Sequence, residues 1–213
     1  MPKYKLILLD MDGTIAYTDD MIIHTFFDMY DMYNPSAKKE AKDIIYFSGP
    51  PLSVTLPREF PNQDYQHMYD EFIRISTPYY DKYVVAFEGE IEVLTKLKEA
   101  GCHLAVVTNK GHKMAEYVLN LLHINHLIDF VIGGGDTKTS KPSPEGIDLA
   151  ISKYNDISKK EVLYIGDNDI DYETAKNAGV DSLICTWGPR ELTVLDKCTY
   201  KANSYKEIED ILL

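Results

Sequence analysis

The chain has 213 residues, 45% hydrophobic and 26% charged, which suits one large α/β domain with a smaller insertion and is too short for two full-sized enzymes. Lys and Arg number 22 against 34 Asp and Glu, a net charge of −12, which argues against partners that need a basic surface, nucleic acid and anionic membranes alike. No apolar run reaches the ~20 residues of a membrane span, and the three widely spaced cysteines, Cys102, Cys185 and Cys198, fit reduced core thiols of a cytoplasmic protein rather than a disulfide framework.

Met1-Pro2-Lys3-Tyr4-Lys5 reads as neither a signal nor a transit peptide. Leu6-Ile7-Leu8-Leu9 then forms a continuous apolar run ending in Asp10, the pattern of a parallel strand covered on both faces. From about Ala16 to Val84 the pattern turns helical. Ile22, Ile23, Phe26, Phe27, Tyr30 and Tyr33 follow a cap and acidic first turn at Thr18-Asp19-Asp20, and Tyr65, Met68, Tyr69, Phe72 and Ile73 mark a second helix. The intervening Ser48 to Pro61 is rich in Pro and Gly and reads as a connection. More than half of the 16 tyrosines fall in this segment, mostly as its core.

Beyond it the strand–helix alternation is regular. Ile91, Leu94 and Leu97 mark a helix that stops at Gly101, and Leu104-Ala105-Val106-Val107 a strand ending in Thr108. Ala115, Val118, Leu119 and Leu122 mark a helix, and Ser143-Pro144 caps another carrying Ile147, Leu149, Ala150 and Ile151. Strands then follow at Val162-Leu163-Tyr164-Ile165, ending at Gly166-Asp167, and at Ser182-Leu183-Ile184-Cys185. The order predicts a doubly wound parallel α/β sheet, Rossmann-like, from residues 1–15 and 85–213, with a small helical domain, 16–84, inserted after the first strand.

Chemistry concentrates at the strand ends. Asp10 and Asp12 are two residues apart, a repulsion tolerable where a cation or shared proton offsets it. Gly166-Asp167-Asn168-Asp169-Ile170-Asp171 adds three more carboxylates, of which Asp169 reads as a solvated turn residue. If the two strands are neighbours, Asp10, Asp12 and Asp167 converge, and hard oxygen ligands without Cys or His select Mg²⁺ over Zn²⁺. Thr108 offers a hydroxyl and Asn109 a backbone N–H beside a helix start, an arrangement suited to phosphate oxygens, and Lys141 leads into the capped helix.

Together Asp10-Met11-Asp12-Gly13-Thr14, Thr108-Asn109-Lys110, Lys141-Pro142 and Gly166-Asp167 through Asp171 resemble, in order, the four motifs of the haloacid dehalogenase-like hydrolase superfamily. Gly49-Pro50-Pro51-Leu52, Phe87-Glu88-Gly89 and Thr186-Trp187-Gly188 resemble its phosphoglycolate phosphatase-like branch, and the helical insertion its cap. The resemblance implies that Asp10 is the nucleophile forming an aspartyl-phosphate and Asp12 the general acid and base. It implies Mg²⁺ on Asp10, Asp167 and the Asp12 carbonyl, with Asp171 orienting Lys141 or a metal-bound water. Thr108, Asn109 and Lys141 would bind the phosphoryl oxygens. Aspartate at position 12 fits alkoxide leaving groups and disfavours dehalogenation.

The expected activity is phosphatase action on a small phosphate ester such as phosphoglycolate, a nucleotide or pyrophosphate. A sugar phosphomutase and a catalytically silent phosphate-binding protein are the alternatives. The expected state is a monomer. Arg58, Arg74 and Lys82 are candidates for a substrate's anionic tail, and His123 with His126 for a zinc pair lacking a third ligand. Trp187-Gly188-Pro189-Arg190 is either the border of the site or a structural turn.

Overall fold

A strand buried on both faces needs apolar side chains at every position, and Leu6 to Leu9 supply them. In the computed structural model, which describes residues 2–213, these residues form β1 (Leu6–Leu9), buried throughout. Leu6 and Leu8 pack with Ile147, Ala150 and Val162 on one side, while Ile7 and Leu9 join Val93, Leu97 and Leu104 on the other. The other strands are β2 (Ala16–Tyr17), β3 (Val85–Ala86), β4 (His103–Gly111), β5 (Phe130–Gly134), β6 (Val162–Gly166), β7 (Asp181–Cys185) and β8 (Tyr200–Ala202). Six form one parallel sheet in the order β5-β4-β1-β6-β7-β8, and β2 and β3 pair as a separate antiparallel ribbon.

The helices are α1 (Asp19–Tyr33), α2 (Ala41–Ile44), α3 (Leu52–Glu59), α4 (Tyr65–Tyr83), α5 (Glu90–Glu99), α6 (His112–Leu121), α7 (Glu145–Ile151), α8 (Asp169–Ala178) and α9 (Tyr205–Leu212). The first four lie between β2 and β3 and share an aromatic core in which Phe26 meets Phe47, Phe60 and Phe72. The chain thus leaves the sheet for this helical block and returns to it through one short ribbon.

Four local expectations change. Part of the Pro-rich connection is helix α3, entered from Pro51 at φ −68° and ψ 148°, a conformation that proline's ring favours and a helix entry accepts. Thr18 stands at the N-cap of α1, but its side chain makes no capping bond and its Oγ1 is buried unpartnered. Helix α7 starts at Glu145, with Ser143 Oγ accepting the Glu145 N–H at 3.3 Å. Ile91 is exposed, because the inward face of α5 is Glu90, Val93, Leu94 and Leu97, the i, i+3, i+4, i+7 set.

That register buries a carboxyl group. Glu90 Oε2 accepts the Phe87 N–H at 2.9 Å, and Oε1 has no partner. Burial pushes its pKa up to about 8, with the Phe87 N–H opposing. Between its ordinary value of 4.5 and about 8 the folded state therefore holds a proton that the unfolded chain has released, so stability falls as pH rises through this window. Glu90→Gln is expected to remove that slope. The Tm difference between pH 5 and pH 8, read by thermal melts, narrows by several degrees; an unchanged difference counts against a neutral buried carboxyl.

Candidate active site

β1 lies between β4 and β6, where the strand order turns outward in both directions, and a crevice opens beyond such a point at the strands' carboxyl ends. The parallel pairing of β1 with β6 brings the residues after Leu9 beside those after Ile165, and the Asp10 N–H donates to the Ile165 carbonyl at 2.9 Å. The turn after Asp10 closes tightly, with Gly13 N–H donating to Ala16 O at 2.8 Å. Gly13 adopts φ +80°, and a Cβ there would stand 2.1 Å from Asp167 Oδ2, so glycine lets the two acidic loops touch.

Asp10, Asp167 and Asp171 are all buried and can each turn an oxygen to within 4.8 Å of the others, the one such acidic, His or Cys group among the described residues. Lys141 Nζ lies 2.6 Å from Asp171 Oδ1, 3.0 Å from the Tyr164 hydroxyl and 2.8 Å from Asp10 Oδ1. The last approach is off the line of a hydrogen bond, so Asp10 Oδ1 is a buried oxygen without a donor. Asp171 Oδ2 accepts the N–H groups of Asp167 and Asn168 at 3.1 and 3.0 Å, which fixes the turn and aims Oδ1 at Lys141. Burial pushes the Asp10 carboxyl up to about 6 against the pull of Lys141. It also pushes Asp167 well above the usual carboxylate range, with Arg190 opposing. Burial disfavours the Lys141 ammonium, but Asp10 and Asp171 more than offset this and hold it charged.

Arg190 is the residue that sequence reasoning left between two readings. Its side chain is 3% exposed; Nη1 donates to Asp167 Oδ2 at 2.6 Å, Nη2 pairs with Asp19, and Nε donates to the Ile45 carbonyl at 2.9 Å. Trp187 Nε1 donates to Gly13 O at 2.9 Å, so this segment borders the site and braces its first loop. Lys110, named beforehand only as part of its motif, donates from Nζ to Asp12 Oδ1 at 2.8 Å and to Oδ2 at 3.1 Å. Burial works against its charge, yet Asp12 and the Tyr80 ring beside it keep the ammonium protonated.

Thr108 is buried in β4, the other neighbour of β1, with Oγ1 accepting the Lys110 N–H at 3.2 Å. Asn109 engages through its side chain, with Nδ2 donating to Gly49 O and Oδ1 accepting the Lys141 N–H, both at 2.8 Å. It thus ties the helical block to the Lys141 loop. Asp169 is not simply solvated, since it accepts the Thr193 N–H and hydroxyl.

A cavity of ≈ 390 Å³ lies between these loops and the helical block, with Asp10, Asp12, Thr108, Asn109 and Lys110 on its sheet side. Arg58, Arg74 and Lys82 do not line it. Arg58 pairs with Glu59, Arg74 pairs with Glu71, and Lys82 lies over Tyr83. His123 and His126 are not part of a metal-holding group. Around the acidic loops five carboxylates, Asp10, Asp12, Asp19, Asp167 and Asp171, face three cations, Lys110, Lys141 and Arg190. With every carboxyl ionised the cluster would be two positive charges short, and Asp10 Oδ1, ion-paired with Lys141 but lacking a well-aligned donor, faces the cavity. A hard divalent cation fits this donor set.

The comparisons agree with one another. A family model described as haloacid dehalogenase-like hydrolase matches residues 7–185. Pyrophosphatase PpaX of Halalkalibacterium halodurans is 32% identical over 188 residues, 88% of this chain and 86% of its own length. Pyrophosphatase PpaX of Bacillus velezensis is 32% identical over 185 residues, 87% of this chain and 84% of its own. Among solved structures, a haloacid dehalogenase-like family hydrolase of Streptococcus pneumoniae shares the fold with a TM-score of 0.85, 22% identity and 98% of both chains covered.

Proposed function

The chain belongs to the haloacid dehalogenase-like hydrolase family and is a hydrolase of phosphate bonds; from that premise we propose a Mg²⁺-dependent phosphatase that hydrolyses a small-molecule phosphate ester through an aspartyl-phosphate on Asp10. Phosphoglycolate and nucleotides are the starting ester classes, and pyrophosphate, an anhydride whose leaving group is phosphate rather than an alkoxide, joins them after the names of the relatives. The observation that carries the reading is the buried, donor-free Asp10 Oδ1 beside Lys141, with Asp12 two residues on and a cavity in front of both.

In the proposed sequence an Asp10 carboxylate oxygen attacks phosphorus and the ester P–O bond breaks. The departing alkoxide takes a proton from Asp12. Asp12, now a carboxylate, takes a proton from the water that attacks the aspartyl-phosphate, which frees phosphate and restores Asp10. Lys110 donates to both Asp12 oxygens in the resting site, and a phosphate dianion arriving on Thr108, the Asn109 N–H and Lys141 competes with Asp12 for that ammonium. Lys141 and Thr108 stabilise charge spread over the transferring phosphoryl group. Asp171, saturated by Lys141 and two backbone N–H groups, positions that lysine.

Mg²⁺ would be held by the Asp10 and Asp167 carboxylates and the Asp12 carbonyl. When bound it neutralises the two-charge deficit, keeps Asp10 ionised and polarises the phosphoryl oxygens. No described helix is long and apolar enough to cross a membrane, and the reading takes the protein as a cytoplasmic monomer.

Phosphate release over a metabolite panel, with Mg²⁺ and with EDTA, tests the proposal. Release that depends on Mg²⁺ supports it; no release from any ester refutes it, and conversion of a hexose 1-phosphate to its isomer would establish a mutase instead. Asp12→Asn is expected to lower kcat about 10²–10⁴-fold with little change in substrate affinity. An unchanged kcat would remove Asp12 from the proton transfers.

A further inference from the structure

The helical wall of the cavity lacks what an anionic leaving group needs. Residues 16–84 contain six Lys and Arg, none of which lines the cavity. Lys39 and Arg58 pair with Glu59, Lys42 with Glu40 and Arg74 with Glu71, while Lys82 covers Tyr83 and Lys38 is exposed. The wall is instead apolar and aromatic, built from Phe47, Leu52, Tyr69, Phe72, Ile73 and Tyr80. The lysine that does line the space, Lys110, is answered by Asp12.

We infer that the alcohol half of the substrate is uncharged and presents an aromatic or extended apolar face, so that pyrophosphate and phosphoglycolate are poor substrates for this chain. The inference rests on the phosphatase reading and narrows it. A phosphate or carboxylate on the leaving group would be desolvated against Phe72 and Ile73 with no cation on that wall to meet it, while Lys110 on the sheet side is engaged by Asp12 and by the transferring phosphoryl group, inside a protein of net charge −12. An aromatic ring gains what such a group loses: offset or edge contacts with Phe72 and Tyr69 and burial of its own apolar surface. The space is adequate, since ≈ 390 Å³ lies in the range of roughly 300–1,000 Å³ usual for small-molecule sites. Ser53, Gln66 and the Tyr69 hydroxyl, all on the cavity lining, can hydrogen-bond uncharged oxygens or ring nitrogens. The relatives' name points to a doubly anionic substrate; this wall points away from one.

The test compares kcat/KM at saturating Mg²⁺ for phenethyl phosphate, phosphoglycolate and pyrophosphate in the wild type and in Leu52→Arg, which sets a cation on the half-buried lining of the wall. The expected result is a preference for phenethyl phosphate of about 10²-fold over either anion, and a reversal of its direction of change in the variant, phosphoglycolate improving about tenfold while phenethyl phosphate worsens. Equal or better use of phosphoglycolate or pyrophosphate by the wild type overturns the inference and leaves the phosphatase reading standing. Phosphate release from none of the three overturns the inference, and the phosphatase reading falls with it only when the metabolite panel also yields none.

Discussion

Asp10→Asn is expected to reduce turnover by at least about 10⁴-fold while the fold remains intact. A carboxamide oxygen is a poor nucleophile, and groups that form the covalent intermediate cost this much or more when removed, because the remaining site offers only binding and electrostatics. The substitution keeps the shape of the side chain and takes one negative charge from a cluster that has five carboxylates to three cations. In the absence of Mg²⁺ its Tm should therefore equal or exceed that of the wild type, where Asp10 and Asp171 repel one another across Lys141. Steady-state phosphate release and thermal melts on the same preparation check both halves. Substantial residual turnover would mean that another group attacks phosphorus.

Lys141→Met should damage both rate and stability. Lys141 is the cation in reach of both Asp10 and Asp171, and its side chain is 4% exposed. Removing one member of a buried ion pair leaves the other charges uncompensated, at a cost of about 3–5 kcal/mol. Urea denaturation without Mg²⁺ is expected to show a loss of that order, and added Mg²⁺ to recover part of it by neutralising the same carboxylates. Turnover should fall about 10²–10³-fold through loss of a positioned charge on the phosphoryl oxygens. A variant as stable as the wild type would refute Lys141 as the cation that compensates Asp10 and Asp171.

Much of the sheet was legible because its inner strands are covered on both faces. Leu6 to Leu9 and Val162 to Ile165 carry apolar side chains at every position, a pattern that needs no partner to be read. The strands of this sheet that escaped notice lie at its edges, and the two-residue β2 and β3 of the separate ribbon are too short to leave a pattern. Phe130–Gly134 ends in glycines, and Tyr200–Ala202 has three residues with Lys201 exposed, so neither offers a run to detect. Ile91 was assigned inward because apolar spacing was weighed and Glu90 was not; the burial of a carboxyl group defeats hydropathy patterning.

The site divides along the same line. Asp10, Asp12, Asp167, Asp171, Thr108 and Lys141 stand in four short motifs whose order along the chain resembles the family's, and that resemblance, more than the spacing within any one motif, marks them. The contacts of Lys110 with Asp12 and of Arg190 with Asp167 and Asp19 join positions far apart in the chain, and which charge meets which depends on strand order and loop height. Arg58, Arg74 and Lys82 were attractive by charge alone, but nearby acidic or aromatic side chains engage them away from the cavity.

One guanidinium, that of Arg190, grips Asp167 on the sheet, Asp19 at the root of the helices and the Ile45 carbonyl within them. Lifting the helices from the sheet must strip this group of a buried partner. By reciprocity, a change in the charge of Asp167 and the seating of the helices on the sheet bias one another through this one side chain.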